Sequence, residues 1–311
     1  VPDRVAGRRP ATRPCLPSLC FKATGAAGPT PRILLLLFAT VGLPDTLLSA
    51  TSPLLQAWFV RARHGAVPYR LFALSNFGSM LALLSYPTLV EPRMALHSQA
   101  VAWSWGFAVF AAVCVLAAWR SKDGIDSVRQ SSSGGVPAPT AADKSLWIGL
   151  AACASILLLA VSSHLTQNVA PIPLLWVVPL SLYLLSFILC FESDRLYPRW
   201  LFLPLLAGAL GVFTWGISLY EGNYPIKRLI PALCGALFVC CMLCHGELSR
   251  RRPDPRYLTQ FYLMVSVGGA LGGLFVAFVS PRIFHDYLEL PVALIGCAVL
   301  VSETLYMLEH S

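Results

Sequence analysis

The stretch Ser145–Phe191, SLWIGLAACASILLLAVSSHLTQNVAPIPLLWVVPLSLYLLSFILCF, runs for 47 residues without one Asp, Glu, Lys or Arg. Crossing the hydrocarbon of a bilayer takes about 20 apolar residues, so this stretch can cross, turn and cross back. The turn falls where its polar residues gather, at Ser162, Ser163, His164, Thr166, Gln167 and Asn168. Lys144 and Glu192 close it off on either side. An integral membrane chain is the reading that accounts for it.

Composition agrees. Of the 311 residues, 56% are hydrophobic and 12% charged, with a mean hydropathy of +0.66, whereas soluble domains carry roughly 25% charged residues. A formal net charge of +8 reads as the basic loops that orient a membrane protein, and no nucleic-acid partner is expected. Uncharged windows mark about nine spans: Ile33 to Val60, Leu71 to Val90, His97 to Trp119, Leu146 to His164, Pro171 to Phe191, Trp200 to Tyr220, Leu229 to Cys244, Leu258 to Val279 and Leu290 to Leu308. The 23 Lys and Arg residues all fall in connections, in the N-terminal tail or at span edges. The expected fold is therefore all-α, a polytopic transmembrane helical bundle with the lipid bilayer as its principal partner.

Alternate connections differ in charge. Arg61, Arg63, Arg70, Arg120, Lys122, Arg129, Lys144, Arg195, Arg199, Arg250, Arg251, Arg252 and Arg256 put 13 basic residues on one side; Arg93, Lys227, Arg228 and Arg282 put 4 on the other. The richer side is expected to be cytoplasmic, and the C-terminus with it. The tail conflicts with this scheme, because Arg4, Arg8, Arg9, Arg13, Lys22 and Arg32 fall outside if Ile33 to Val60 crosses once. Either the start is truncated or misread, as a first residue Val1 suggests, or Pro44 breaks the first span into a re-entrant hairpin.

Four segments follow: a disordered or non-native tail at 1–31, a first transmembrane group of three spans at 32–119, a flexible linker at 120–144 centred on QSSSGG, and a second group of six spans at 145–311. A weak echo crosses the linker. Leu74, Ser75 and Gly78 recur as Val265, Ser266 and Gly269, with Pro87 or Pro281 following, in two spans of equal direction as in the halves of a major facilitator transporter.

The phrases TQNVAPIPLLWVVPLSLYLLSFILCFESDR at Thr166–Arg195, HGELSRRRPDPRYLTQFYLMVSVGGALGGLFVAFVSPRIF at His245–Phe284, and SATSPLLQAWF and YRLFALSNFGSMLALLSYP within Leu48–Pro92 carry a family resemblance. The chain resembles, from about Leu34 to Leu308, the membrane part of bacterial fused major facilitator/spermidine synthase-like proteins. That resemblance implies a major facilitator-like, incomplete bundle in a bacterial inner membrane. It also implies a cytoplasmic synthase-like domain after the last span. The sequence stops at Ser311, so no aminopropyl transfer is assigned and no enzyme is expected. Two functions compete: a transporter-like protein moving a small solute such as a polyamine, or a non-transporting anchor for a synthase-like partner.

Candidate site residues come from two places. Next to His164, Gln167 and Asn168, Pro171, Pro173 and Pro179 are expected to free backbone carbonyls near Asn168 and Leu175, and Trp176 and Tyr183, seven apart, share a helix face that could enclose a substrate. A solvated external turn with Trp176 as interfacial anchor is the plainer alternative. Asp45, the one acid within the first span, heads a polar stripe with Ser49, Thr51, Ser52 and Gln56; a carboxylate at such depth is by default a cation or proton site. Asn76 reads as a hydrogen bond between helices. Overlapping GxxxG pairs, Gly268 with Gly272 and Gly269 with Gly273, offer close helix packing, as does Gly78.

Cys241, Cys244 and His245 spell CxxCH, but on the side expected to be cytoplasmic that is no haem signal. Adding Glu247 gives four donors without a second ligand pair at zinc spacing. No metal and no cofactor is expected.

Overall fold

The structure, a computed structural model, describes residues 29–62, 69–120, 138–166, 174–218, 226–283 and 289–309. Among them it is helical throughout, with no strand. Helix α1 joins Pro29–Leu37 to Leu43–Ala62 through a π-bulge, Phe38–Gly42. Then follow α2 (Tyr69–Ser85, prolonged by a π-turn at Tyr86–Val90), α3 (Leu96–Arg120), α4 (Ala141–His164) and α5 (Val177–Glu192). The chain continues with α6 (Arg199–Ser218), α7 (Ile226–Arg250), α8 (Leu258–Leu274, prolonged by the π-turn Phe275–Val279 and Ser280–Ile283) and α9 (Glu289–Glu309).

Among the described residues, seven helical stretches are long and apolar enough to cross a membrane: Arg32–Gln56, Tyr69–Val90, Leu96–Arg120, Ala141–His164, Arg199–Gly216, Ile226–Arg250 and Pro255–Ile283. Val177–Glu192 and Leu290–Thr304 are apolar but shorter. The chain thus has the form of a multi-pass membrane protein. Its exposed Leu, Phe, Trp and Val side chains, such as Leu34, Phe38, Leu74, Val115 and Trp200, suit lipid rather than water.

Pro44 does not break α1 into a hairpin, contrary to one expectation. A proline inside an α-helix loses its own donor and crowds the carbonyl four residues back. Here the helix widens just before the ring, with the Leu43 N–H donating to Phe38 O five residues back, and the chain continues in one direction. At Pro281 the same device recurs, the Ser280 N–H donating to Phe275 O; at Pro87 the proline sits inside the wide turn itself. The linker also ends sooner than 144, because Thr140 and Asp143 close a reciprocal capping box and start α4 at Ala141.

Helices α4 and α7 form the centre. α7 packs on α4, α5, α6 and α9, and every residue from Cys240 to Ser249 is buried; a helix apolar all round is one surrounded by others. α4 runs parallel to α8 with backbones in close approach. A Cβ on Gly272 would lie 2.6 Å from Ala152 O, and one on Gly268 would strike Ile148 O, so only glycine fits at either position. Gly269 and Gly273 meet only Ser155 and Leu159 side chains at ordinary contact distance, 3.5 and 4.0 Å. At Gly78 no described atom lies within 4 Å of the Cβ position, so no helix closes on it.

The basic connections gather at one end. Arg70 pairs with Glu192 at 2.5 Å and Arg252 with Asp194 at 3.1 Å. The Tyr69 hydroxyl donates to Pro253 O, the Trp147 indole to Arg251 O and the Arg251 guanidinium to Thr304 O. The starts of α2, α4 and α8 and the ends of α5, α7 and α9 are thereby tied at a single level. Most buried of these ties is Glu247, held by Arg199 Nε at 2.7 Å and Nη2 at 2.5 Å and by the Tyr197 hydroxyl at 3.0 Å. Burial and the Glu247 carboxylate push the Tyr197 phenol up. Gly246 has no room for a side chain because the Tyr197 ring lies on its Cα.

Candidate functional site

Helices α1, α2 and α8, with Phe110 of α3, enclose an open cleft of about 710 Å³. Each contributes one face at helical spacing: Asp45, Ser49 and Ser52 from α1, Phe72, Ser75, Asn76 and Ser79 from α2, and Tyr262, Val265 and Ser266 from α8. Asp45 lies near the middle of the apolar span Arg32–Gln56 and also borders a second cavity of about 280 Å³ with Thr40, Val41, Leu48, Ala100 and Trp103. No ion pair among the described residues includes it.

The polar groups of the wall are turned in a particular sense. Thr51 Oγ1 donates to Leu47 O at 2.7 Å, Ser79 Oγ to Ser75 O at 3.2 Å and Asn76 Nδ2 to Phe72 O at 2.9 Å, each within its own helix. A hydroxyl or amide whose donor is spent on its own backbone keeps oxygen lone pairs for anything in the cleft. The wall is therefore rich in acceptors. This corrects the expectation for Asn76, which bonds its own helix rather than a neighbouring one. Deeper in, Gln56 is fully buried and its amide donates to Ser52 Oγ at 3.3 Å. The buried Tyr262 hydroxyl stands close to the Gln56 side chain.

The other expected site residues do not join this cleft. Gln167 and Asn168 lie outside the described residues. His164, at the end of α4, is buried at 5% exposure, unlike a residue of an open loop. Trp176 precedes α5 at 46% exposure. Tyr183 points inward instead, its ring edge-on to His245 at 4.9 Å and its hydroxyl 3.5 Å from Ser155 Oγ. The pair sharing a helix face in sequence thus does not enclose one space. Tyr183 belongs to a sealed polar island in which Ser186 Oγ and His245 Nδ1 lie 2.7 Å apart and Phe187 stacks on the imidazole at 3.6 Å.

Sequence reading missed Ser75, Ser79, Tyr262 and Ser266 as cleft residues. A signal existed: Leu74 and Ser75, and their echo Val265 and Ser266, all line the cleft. The donors Cys241, Cys244, His245 and Glu247 do not converge either. Glu247 is taken by Arg199 and Tyr197, and Cys244 instead faces Cys153 and Cys297. Comparison with known proteins finds no matching family model, no matching curated protein and no matching solved structure.

Proposed function

We propose that this chain is a transporter-like membrane protein of the fused major facilitator/spermidine synthase-like type, and that the cleft between α1, α2 and α8 receives a small cationic solute such as a polyamine. The observation that carries this reading is Asp45, a carboxylate at mid-span without an ionic partner among the described residues, on the wall of an acceptor-lined cleft of about 710 Å³. A lone carboxylate at that depth is costly unless hydrated or paired with a mobile cation. Hydroxyl and amide oxygens facing the same space would replace part of that cation's hydration shell. The matched serines of α2 and α8 add a two-fold character to the wall, as expected of a repeat interface in a major facilitator-like bundle. By the positive-inside rule the end bearing Arg70, Arg199 and Arg250–Arg252 faces the cytoplasm of a bacterial inner membrane, and α9 ends there too.

The test is uptake of labelled spermidine and putrescine by liposomes containing the purified protein, with Asp45→Asn beside the wild type. Uptake above empty liposomes, reduced about tenfold in the variant, supports the reading. Wild-type uptake no greater than that of empty liposomes removes transport, and equal rates for both proteins remove Asp45. A second reading, an anchor for a synthase-like partner, draws support from the sealed core of α4 to α9. It is favoured if the liposomes take up nothing while a synthase-like protein co-purifies with the basic end.

A further inference from the structure

Away from the cleft, three helices bring sulfur together. Cys153 on α4, Cys244 on α7 and Cys297 on α9 have their Sγ atoms all within 4.8 Å of one another, and Cys244 and Cys297 stand 3.8 Å apart. All three are buried, at 0 to 5% exposure. No carboxylate or imidazole belongs to the group.

We propose that these thiols hold a resident thiophilic d10 metal ion, with Cu(I) the ion their number and setting suit best. Metal–thiolate bonds are about 2.3 Å long, so two sulfurs on one ion stand roughly 3.8 to 4.0 Å apart in tetrahedral or trigonal geometry. The Cys244–Cys297 separation already has that value, and the remaining sulfur needs only a small side-chain rotation. A sulfur-only donor set selects soft ions over Mg(II), Ca(II) or Mn(II). Ligand number then separates Cu(I) from Zn(II). A closed structural zinc site takes four ligands, whereas this group offers three sulfurs, a trigonal thiolate set that suits a soft Cu(I) ion. Each thiol that becomes a thiolate ligand gives its proton to water, so binding weakens as pH falls. The group lies apart from the cleft, and its burial makes the ion a structural clamp across α4, α7 and α9 rather than cargo. Such an ion enters as the helices assemble and leaves slowly.

The experiment uses the purified full chain, reduced and oxygen-free, incubated during refolding or expression with Cu(I) or, separately, with Zn(II), then stripped of loose metal. Elemental analysis should find about one copper per chain in the wild type and in Cys114→Ser, whose thiol lies outside the group, and less than a tenth of that in Cys153→Ser and Cys297→Ser. X-ray absorption at the copper edge of the wild type, which needs no variant to fold, should report only sulfur neighbours. Retention of Zn(II) in place of Cu(I) overturns the assigned ion. Absence of any bound metal, nitrogen or oxygen neighbours, or undiminished copper in both Cys→Ser variants overturns the site.

Discussion

The two halves of the molecule are made of equally apolar helices but are built differently. In an apolar window of 18 residues within each of the first three spans, Arg32–Gln56, Tyr69–Val90 and Leu96–Arg120, 6% of the residues are buried; in the corresponding window of Ala141–His164 the share is 50% and in that of Ile226–Arg250 it is 67%. Mean hydropathy does not separate them, at 1.9 and 2.0 for the first and third spans against 2.1 and 2.0 for α4 and α7. Lipid is as apolar as leucine, so hydrophobicity alone brings no helices together in a membrane; small residues and polar ties do. The second group has both, in Gly268 and Gly272 against α4 and in the Glu247 and Arg252 networks. The first group is held at its edge by Tyr69, Arg70 and the Phe72 ring among Phe187, Phe191 and Tyr262. The space left between the halves is the polar cleft.

This contrast breaks most readily at the glycines. Gly272→Leu drives a side chain into the backbone of α4, and unfolding in mixed micelles should register a loss of about 3–5 kcal/mol, or no folded protein at all. A loss under about 1 kcal/mol would mean that α4 and α8 are not in close approach. Glu247→Ala strands the Arg199 guanidinium, 22% exposed, beside an emptied pocket; about 3 kcal/mol is expected, with Glu247→Gln costing less because it still accepts hydrogen bonds. Asp45→Asn sharpens the other side of the comparison, leaving stability within about 0.5 kcal/mol of wild type because the residue is exposed and without an ion-pair partner among the described residues. The smallest effect belongs to Gly78→Ala. With nothing within 4 Å of the new methyl, helix propensity should raise stability by up to about 1 kcal/mol, and a clear loss there would show that the first group packs more tightly than its burial indicates.

Much of the architecture was legible because charge is absent from membrane interiors. The uncharged windows found the helices within a few residues, and the polar stripe below Asp45 was visible as a periodicity. What the sequence could not disclose was register between helices. Ser75 and Ser266 look like ordinary helix residues until two helices are set side by side with both facing Asp45. A seven-residue spacing puts Trp176 and Tyr183 on one face only where a regular helix runs over both, yet α5 begins only at Val177. The cysteines posed the same problem: each is a small apolar residue on its own helix, and their meeting depends on the packing of three.

The π-bulges at Phe38–Gly42 and Phe275–Val279 have a consequence for how this chain tolerates changes in length. A π-bulge holds one residue more than the α-helix would need, while the segments on either side keep their facing. Removing one residue from Phe38–Gly42 together with Pro44→Ala would therefore leave a regular helix with lipid-facing and cleft-facing sides intact. The same deletion between Asp45 and Gln56 turns one part of the helix against the other by about 100°, swinging either the carboxylate or the serines out of the cleft. Length is thus forgiven at the bulge and nowhere else along the cleft-lining face of α1.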